Sequence, residues 1–362
     1  MVRGEDLIDV VIVGGGPAGS AAGLSLRSHA PGLSVVQIEA SAYAVPRIGE
    51  TLPPQSRRLL EHLGVWETFR NQGHEPVAGT AAVWGAPLVQ ENDFLFTRHG
   101  DGWHLDRTAF DAMLAGEAGR RGVQRVEGRV IDAAREQGGW RLSLSNGPGF
   151  RARFLIDATG SSATLARKFG ARFVATDRLT GFVRFFEDRN GNDPRSLVEA
   201  FEDGWWYTAG LPGGKRIAAC MTDADLARRL RLSDPESWSR RLDDAEQVRA
   251  RLQEARPQGD VVVRAAHSRR LDRAAGEGWL AVGDAASVFD PLSSSGITKA
   301  LRSGIFASYA IGDLLVKGDG RSLERYRRYS QDEFESYTRV RARYYSEERR
   351  WPESDFWRRR AS

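Results

Sequence analysis

Residues 9–19 read Asp-Val-Val-Ile-Val-Gly-Gly-Gly-Pro-Ala-Gly, an apolar stretch that runs directly into spaced glycines. The glycines at positions 14, 16 and 19 satisfy the pattern G-x-G-x-x-G. In this pattern Gly14 permits a tight turn, Gly16 lets the backbone approach a pyrophosphate, and Gly19 lets a helix pack closely on the strand. The stretch therefore predicts a strand, a phosphate-binding turn and the start of a helix.

The flanking sequence supports a dinucleotide site. Residues 17–29 predict a helix and residues 33–39 a second strand, so strand, helix and strand follow one another within about 30 residues. Pro17 and Ala18 open the helix, whose N-terminal N–H groups and dipole favour the pyrophosphate. Glu39 lies 20 positions beyond the last glycine of the fingerprint and can accept the ribose hydroxyls. The fingerprint alone does not choose between FAD and NAD.

Composition limits the classes of protein that the chain can represent. Its 362 residues, 41% of them hydrophobic, suffice for two domains with sizeable cores. No apolar run approaches the roughly 18 residues of a membrane helix, and the start lacks a signal-peptide core, so we expect a cytoplasmic protein without a membrane partner. The single cysteine, Cys220, excludes internal disulfides and dithiol motifs, and the six histidines form no metal-ligand cluster. The net charge of +4 is explained by a solvated, arginine-rich C-terminus, and we expect no nucleic-acid partner.

Two later segments select FAD. Residues 157–160 read Asp-Ala-Thr-Gly, and residues 283–296 read Gly-Asp-Ala-Ala-Ser-Val-Phe-Asp-Pro-Leu-Ser-Ser-Ser-Gly. Together with the N-terminal fingerprint, they resemble the ordered motifs of FAD monooxygenases of the aromatic hydroxylase superfamily. That superfamily also includes flavin-dependent halogenases and geranylgeranyl-reductase-like proteins. The resemblance spans about residues 8–315 and implies FAD as the cofactor.

The resemblance also implies roles for individual positions. Asp284 would hydrogen-bond the ribityl chain, Pro291 would lie beside the isoalloxazine, and Gly296 and Ile297 would offer backbone N–H groups to the pyrimidine end. A helix that begins near residue 296 also directs its positive end at the charge that develops on reduced flavin. Further cofactor contacts are expected from Arg47, Arg107, Gly160 and Gly283, and from the backbone of Val130 to adenine. For Arg107, a surface ion pair explains the residue equally well.

The predicted fold is an α/β Rossmann-type FAD-binding domain of the hydroxylase type, interrupted by a strand-rich substrate domain and followed by a helical tail. The pattern predicts one amphipathic helix within 52–70, a helix over 235–256 and long helices over 296–315 and 322–346. We assign residues 1–75, 100–172 and 265–320 to the FAD-binding domain, 76–99 and 173–264 to the substrate domain, and 321–362 to the helical C-terminal segment.

The reaction is less explicit in the sequence. Residues 49–51, Gly-Glu-Thr, resemble the G-E-[ST]-x-x-P segment of the halogenase branch. Halogenases also use a lysine in the substrate domain to guide hypohalous acid, and a W-x-W-x-I-P segment. None of the four lysines falls between 52 and 100, and residues 204–209 read Gly-Trp-Trp-Tyr-Thr-Ala. Both departures argue against halogenation.

A second resemblance rests on length, the Gly-Glu-Thr segment and the aromatic, arginine-rich tail from Tyr344 to Trp357. These features are similar to the flavoproteins that mature cysteine tryptophylquinone in amino-acid oxidases, which implies hydroxylation of a tryptophan in a partner protein. An aromatic small molecule is the other expected substrate class. No second G-x-G-x-x-G follows a strand, so NAD(P)H or a separate flavin reductase would supply electrons. A halogenase, a geranylgeranyl-reductase-like enzyme and a non-catalytic flavin-containing binding protein remain as alternatives.

Aromatic residues of the strand-rich insertion are candidates for an aromatic substrate pocket: Trp84, Trp205, Trp206 and Tyr207. An ordinary place in the sheet core explains each of them equally well. His74, His99 and His104 could act as a base, although a structural role is the simpler explanation for each.

Overall fold

The N-terminal segment folds as the glycine fingerprint predicts. The computed structural model describes residues 7–44, 47–94, 100–189, 191 and 193–360. Strand β1 (Leu7–Val13) leads into helix α1 (Pro17–His29), which returns to strand β2 (Val35–Glu39). Strand β1 pairs in parallel with β2 on one side and with β11 (Phe150–Asp157) on the other. Its central residues are fully buried, as expected for a parallel strand covered on both faces.

These strands form the centre of a nucleotide-binding sheet. Its order among the described strands is β19-β20-β11-β1-β2-β8, and the antiparallel pair β9–β10 continues from β11. The other strands are β8 (Gln124–Glu127), β9 (Val130–Glu136), β10 (Gly139–Leu144), β19 (Ala275–Gly276) and β20 (Trp279–Ala281). Helices α4 (Arg107–Arg120) and α9 (Gly296–Lys317) pack against α1.

A second large sheet lies beside the first, with the order β17-β13-β16-β15-β14-β5-β6 within the described chain. Its strands are β5 (Gly79–Val83), β6 (Gln90–Asp93), β13 (Leu179–Glu187), β14 (Ser196–Phe201), β15 (Gly204–Leu211), β16 (Lys215–Asp223) and β17 (Arg256–Ala265). All neighbouring strands are antiparallel except β14 and β5. Cys220 is buried in β16, in agreement with its interpretation as a small core residue.

Two predicted helices are divided. The stretch 52–70 contains α2 (Ser56–His62) and α3 (Trp66–Arg70), because Gly64 between them adopts a φ of +66° that ends the first helix. The stretch 235–256 contains α7 (Pro235–Arg240) and α8 (Glu246–Arg251). The remaining elements are β3 (Thr51–Leu52), β4 (Glu75–Val77), β7 (Gly102–His104), β12 (Phe173–Ala175), α5 (Thr164–Lys168), α6 (Ala224–Leu230), β18 (Arg269–Leu271) and β21 (Ser287–Val288). Among the described residues, no helix has both the length and the apolar character needed to cross a bilayer.

The C-terminal segment folds back onto the second sheet. Helix α10 (Ser322–Glu347) is followed by the short helix α11 (Asp355–Arg358). The buried Tyr345 hydroxyl accepts a hydrogen bond from Trp205 Nε1 at 3.0 Å and donates one to Asp290 Oδ2 at 2.8 Å. Because Asp290 belongs to the second FAD motif, residues 283–296, these hydrogen bonds connect the second sheet and the C-terminal segment to that motif.

Replacing Tyr345 with Phe should lower the free energy of unfolding by about 1–3 kcal/mol, because the buried Trp205 N–H loses its acceptor. Chemical denaturation at neutral pH measures this change. Y344F is the matched control: the Tyr344 side chain is 52% exposed, so its variant should differ from wild type by less than about 0.5 kcal/mol. Equal losses in the two variants would contradict the role given to Tyr345.

Candidate active site

The glycine fingerprint forms a cradle that is closed on one side and open on the other. A Cβ at Gly14, where φ is +117°, would overlap the carbonyl oxygen of Ala158, and a Cβ at Gly19 would overlap that of Gly14. At Gly16, by contrast, the nearest atom to a Cβ would be Arg47 Nη1 at 3.7 Å. The N-terminus of α1 carries no side-chain cap. An anion at this end of the helix therefore meets free backbone N–H groups and a guanidinium.

Glu39 faces this cradle from the end of β2. Its Oε2 accepts the Gly15 N–H at 2.5 Å, and its Oε1 accepts the Ser41 N–H at 2.9 Å. Oε1 also accepts the Ser41 hydroxyl at 2.6 Å, whereas Oε2 has a second lone pair that can accept a ribose hydroxyl; that contact stays a prediction. Tyr43, which the sequence did not reveal, supports the turn by donating to the Gly15 carbonyl at 2.9 Å. Burial, followed by the nearby Glu39, raises the pKa of Tyr43 to about 12.

Arg47 and Arg107 share one buried acid, Asp111. Arg47 Nη1 lies 3.0 Å from Asp111 Oδ2, and Arg107 forms a two-pronged pair with the same carboxylate at 3.1 Å. Arg107 also donates to the carbonyl oxygens of Ile48 and Gly49. Arg107 thus holds the loop that carries Arg47, and its direct contact with the cofactor stays a prediction. Asp111 was not among the residues predicted for the site, although its i+4 spacing from Arg107 was a usable signal.

The adenine side of the site is less defined by side chains. The Gly128 N–H donates to the Glu39 carbonyl at 2.9 Å, so the segment before the half-buried Val130 lies beside β2. A backbone contact from Val130 to adenine stays a prediction. Gly160, with φ of +65°, begins the turn after β11. The buried Asp157 accepts backbone N–H bonds that shape this turn.

The second motif meets the fingerprint directly. Gly283 has a φ of +59°, and a Cβ on it would lie 2.8 Å from the Cβ of Ala18. Asp284 follows, with its side chain 46% exposed. The loop then passes Pro291 and enters α9 at Gly296, where no side chain caps the helix. The N–H groups at this helix start are therefore available to an acceptor, as the resemblance implies for Gly296 and the buried Ile297.

Trp206 does not share a pocket with its neighbours Trp205 and Tyr207, contrary to expectation. Side chains alternate along β15, so Trp206 lies on the outer face of the second sheet and packs edge-to-face on Trp238, with ring centroids 4.9 Å apart. Trp205 and Tyr207 lie on the inner face, where Leu292 of the second motif also packs.

Trp84 and Trp205 attach the C-terminal segment to the sheet. Both are buried, and the indole N–H of each donates a hydrogen bond to that segment. Trp84 donates to the Tyr344 carbonyl at 2.7 Å, and Trp205 donates to the Tyr345 hydroxyl. Tyr207 differs, because its hydroxyl lies 2.8 Å from Thr51 Oγ1 at the start of β3. Tyr207 is therefore the member of the predicted set that meets the cofactor side of the molecule.

Glu50, which precedes Thr51, is a buried acid that the sequence named only as part of a motif. Its side chain is 4% exposed, and Oε1 has no hydrogen-bond partner among the described residues. Burial raises its pKa to about 7, with the Arg107 charge opposing the shift. The site thus holds a group that can exchange a proton near neutral pH, next to the inner aromatic face.

Of the histidines considered as bases, His74 has hydrogen-bond partners, whereas neither ring nitrogen of His104 has one among the described residues. His74 Nδ1 accepts the Asp106 N–H at 3.3 Å, and His104 is fully buried between β3 and the second sheet. Burial lowers the pKa of each to about 4, so both are neutral at pH 7. His99 lies outside the described residues.

A sequence model of the family described as tryptophan halogenase matches residues 9–96 and 86–362. The chain belongs to the tryptophan halogenase family. A relative from Marinomonas mediterranea, LodB, is described as an FAD-dependent oxidoreductase and is 28% identical over 360 residues, which cover 97% of this chain and 96% of LodB. A brominase from Pseudoalteromonas luteoviolacea that acts on 1H-pyrrole-2-carbonyl peptidyl-carrier protein is 27% identical over 328 residues, 87% of this chain and 79% of the brominase.

Solved structures of the family have the same fold. The flavin-dependent halogenase CmlS superposes with a TM-score of 0.88 at 26% identity, covering 98% of this chain and 68% of CmlS. The myxobacterial chondrochloren halogenase CndH gives 0.87 at 25% identity, covering 98% and 86%. QhpG, a peptidyl tryptophan dihydroxylase essential for tryptophylquinone cofactor biogenesis, gives 0.78 at 26% identity, covering 98% and 79%.

These findings confirm the predicted α/β fold and FAD as the cofactor, and they make the chain an FAD-dependent oxidoreductase of the halogenase family. They also change the order of the proposed reactions. Because most of these relatives are halogenases, the comparisons favour halogenation over the hydroxylation that the sequence placed first.

Replacing Glu50 with Gln should remove a pH-dependent loss of stability. The folded-state pKa of about 7 exceeds the ordinary value of 4.5, so the native state binds this proton more tightly than the unfolded state. Wild type should therefore lose up to about 3 kcal/mol as the pH rises through 4.5 to 7. Denaturant unfolding at several pH values between 5 and 8 should show that the free energy of unfolding of E50Q rises relative to that of wild type as the pH increases. The exposed-site control E61Q should follow wild type, and a constant difference between E50Q and wild type would contradict the raised pKa.

Proposed function

We propose that this chain uses FAD and oxygen to modify an electron-rich aromatic group, with halogenation as the first candidate reaction. The match to the halogenase family along nearly the whole chain carries this proposal. The brominase and the halogenases CmlS and CndH are similar to it over most of their length or fold. When bound and reduced, FAD supplies the activation of oxygen, and the protein supplies binding, orientation and exclusion of water.

Different residues of the chain would bind different parts of FAD. Arg47 and the start of α1 would hold the pyrophosphate, and Glu39 would accept the ribose hydroxyls. Asp284 would take the ribityl chain, and the start of α9 would face the pyrimidine end. The two motifs that carry these groups meet where Gly283 approaches Ala18. The proposed residues thus lie on either side of one contact, as a single extended cofactor requires.

The inner face of the second sheet is the proposed wall of the substrate site. Ile48 and Leu292, from the two cofactor loops, pack against the apolar cluster on this face, and Tyr207 contacts Thr51 beside it. An aromatic ring that is halogenated or hydroxylated must release its ring hydrogen as a proton. Glu50 would hold that proton, a role supported by its burial, by the lack of a partner for Oε1 among the described residues and by a pKa of about 7.

Hydroxylation of a tryptophan side chain in a partner protein is the second candidate. The likeness to QhpG favours it. The lysine that the resemblance implies for halogenases is missing from 52–100. The buried Lys299 does not replace it, because its amino group is bound to Asp284 at 2.8 Å. In either reaction, NAD(P)H or a separate flavin reductase would deliver the electrons.

Halide dependence separates the two reactions. The purified protein would be supplied with FAD, NADH, a flavin reductase and air, and offered free tryptophan, a pyrrole-loaded carrier protein and a tryptophan-containing partner protein. Mass spectrometry should find a bromine in place of hydrogen only when bromide is added. Oxygen added to a substrate without any halide would instead establish hydroxylation. Oxygen consumption that yields only hydrogen peroxide with every substrate, with and without halide, would contradict both reactions.

A further inference from the structure

Lys299 is a buried lysine on the side of α9 that faces the second motif. Its side chain is 1% exposed, and Nζ lies 2.8 Å from Asp284 Oδ1 while it also donates to the Ser287 carbonyl. Nζ lies 4.6 Å from the centroid of the Phe289 ring. A buried ammonium group without partners would be costly, and these contacts together offset that cost.

The partner of Lys299 is accessible from the other side. Asp284 is 46% exposed although its Oδ1 contacts a lysine that is almost completely covered. The carboxylate therefore presents one side to the ammonium group and the other to the open end of the site. The adjoining residue Gly283 touches Ala18 of α1, so this exposed side lies at the end of the molecule where the two FAD motifs meet.

We propose that Lys299 is a positioning residue for FAD, which fixes the Asp284 carboxylate for the ribityl chain and favours the reduced flavin by its positive charge. The ion pair restricts the rotation of the Asp284 side chain, so the entropy of ordering it is lost on folding and not on cofactor binding. Reduction adds negative charge to the flavin, and a fixed cation in a dry site stabilises that charge. The proposal rests on FAD as the cofactor and not on the choice between halogenation and hydroxylation.

The decisive comparison is K299M against K317M. Lys317 is the matched control because it also lies on α9 and also forms an ion pair, with Asp313, but is exposed to solvent. FAD affinity is measured by fluorescence during reconstitution of the apoprotein, and the two-electron potential of bound FAD by equilibration with reference dyes. K299M should bind FAD at least tenfold more weakly and disfavour the reduced form at least tenfold, a potential about 30 mV more negative. K317M should change neither quantity by more than about twofold.

D284N gives the opposite electrostatic change. It should also weaken FAD binding, but its potential should become more positive, because the charge of Lys299 is no longer compensated. The double variant K299M/D284N should bind FAD no more weakly than whichever single variant has the lower FAD affinity, because both residues act through one contact. Opposite shifts of potential are a signature that a purely structural role would not produce.

A folded K299M with the FAD affinity and potential of wild type would overturn the proposal. If circular dichroism shows that K299M does not fold, D284N decides the question, since Asn has nearly the shape of Asp and the replaced side chain is half exposed. A D284N potential that stays constant or becomes more negative would then refute the role of Lys299. Both measurements use FAD without substrate, so their outcome is independent of the reaction that the enzyme catalyses.

Discussion

The close approach of helix α1 to the second FAD motif is the constraint on which the rest of the structure depends. Ala18 lies under Gly283, and a side chain on Gly304 of α9 would overlap the Ala18 carbonyl oxygen. Only small residues permit this spacing, because any added carbon would force the two segments apart. The contact joins two motifs that are separated by more than 260 residues, and it puts the starts of α1 and α9 at one end of the nucleotide-binding sheet. A cofactor with a nucleotide half and a flavin half can then span both.

Charge is organised around this contact in a consistent way. Asp111 is shared by Arg47 and Arg107, so one buried acid orients both the guanidinium near the phosphate cradle and the loop that carries it. At the second FAD motif the signs are reversed, because the buried cation Lys299 orients the half-exposed acid Asp284. Removing one partner of such a pair leaves an uncompensated charge, which costs more than the pair itself contributes. The pairs therefore serve geometry more than net stability.

The C-terminal segment holds the second sheet against the loop of the second FAD motif. Tyr345 bonds to Trp205 on one side and to Asp290 on the other. Asp290 in turn accepts the Leu292 N–H at 3.0 Å and so shapes the turn before α9. The aromatic, arginine-rich tail, which the sequence linked only by resemblance to tryptophylquinone maturation, thus connects the second sheet to the second FAD motif.

The sequence by itself determined the Rossmann-type unit, FAD and the positions of the two motifs. Glycines at fixed spacing encode backbone angles and close packing locally, so they can be recognised without knowledge of the fold. Only the tertiary structure decided that Tyr207 meets Thr51, that Glu50 is buried without a partner for Oε1, and that Lys299 holds Asp284. These outcomes depend on which face of a strand is covered and on contacts between distant segments. Residue spacing does not show which face is covered or which distant segments meet. The family can therefore be recognised from the sequence, whereas the reaction is decided by side chains that meet only in the folded chain.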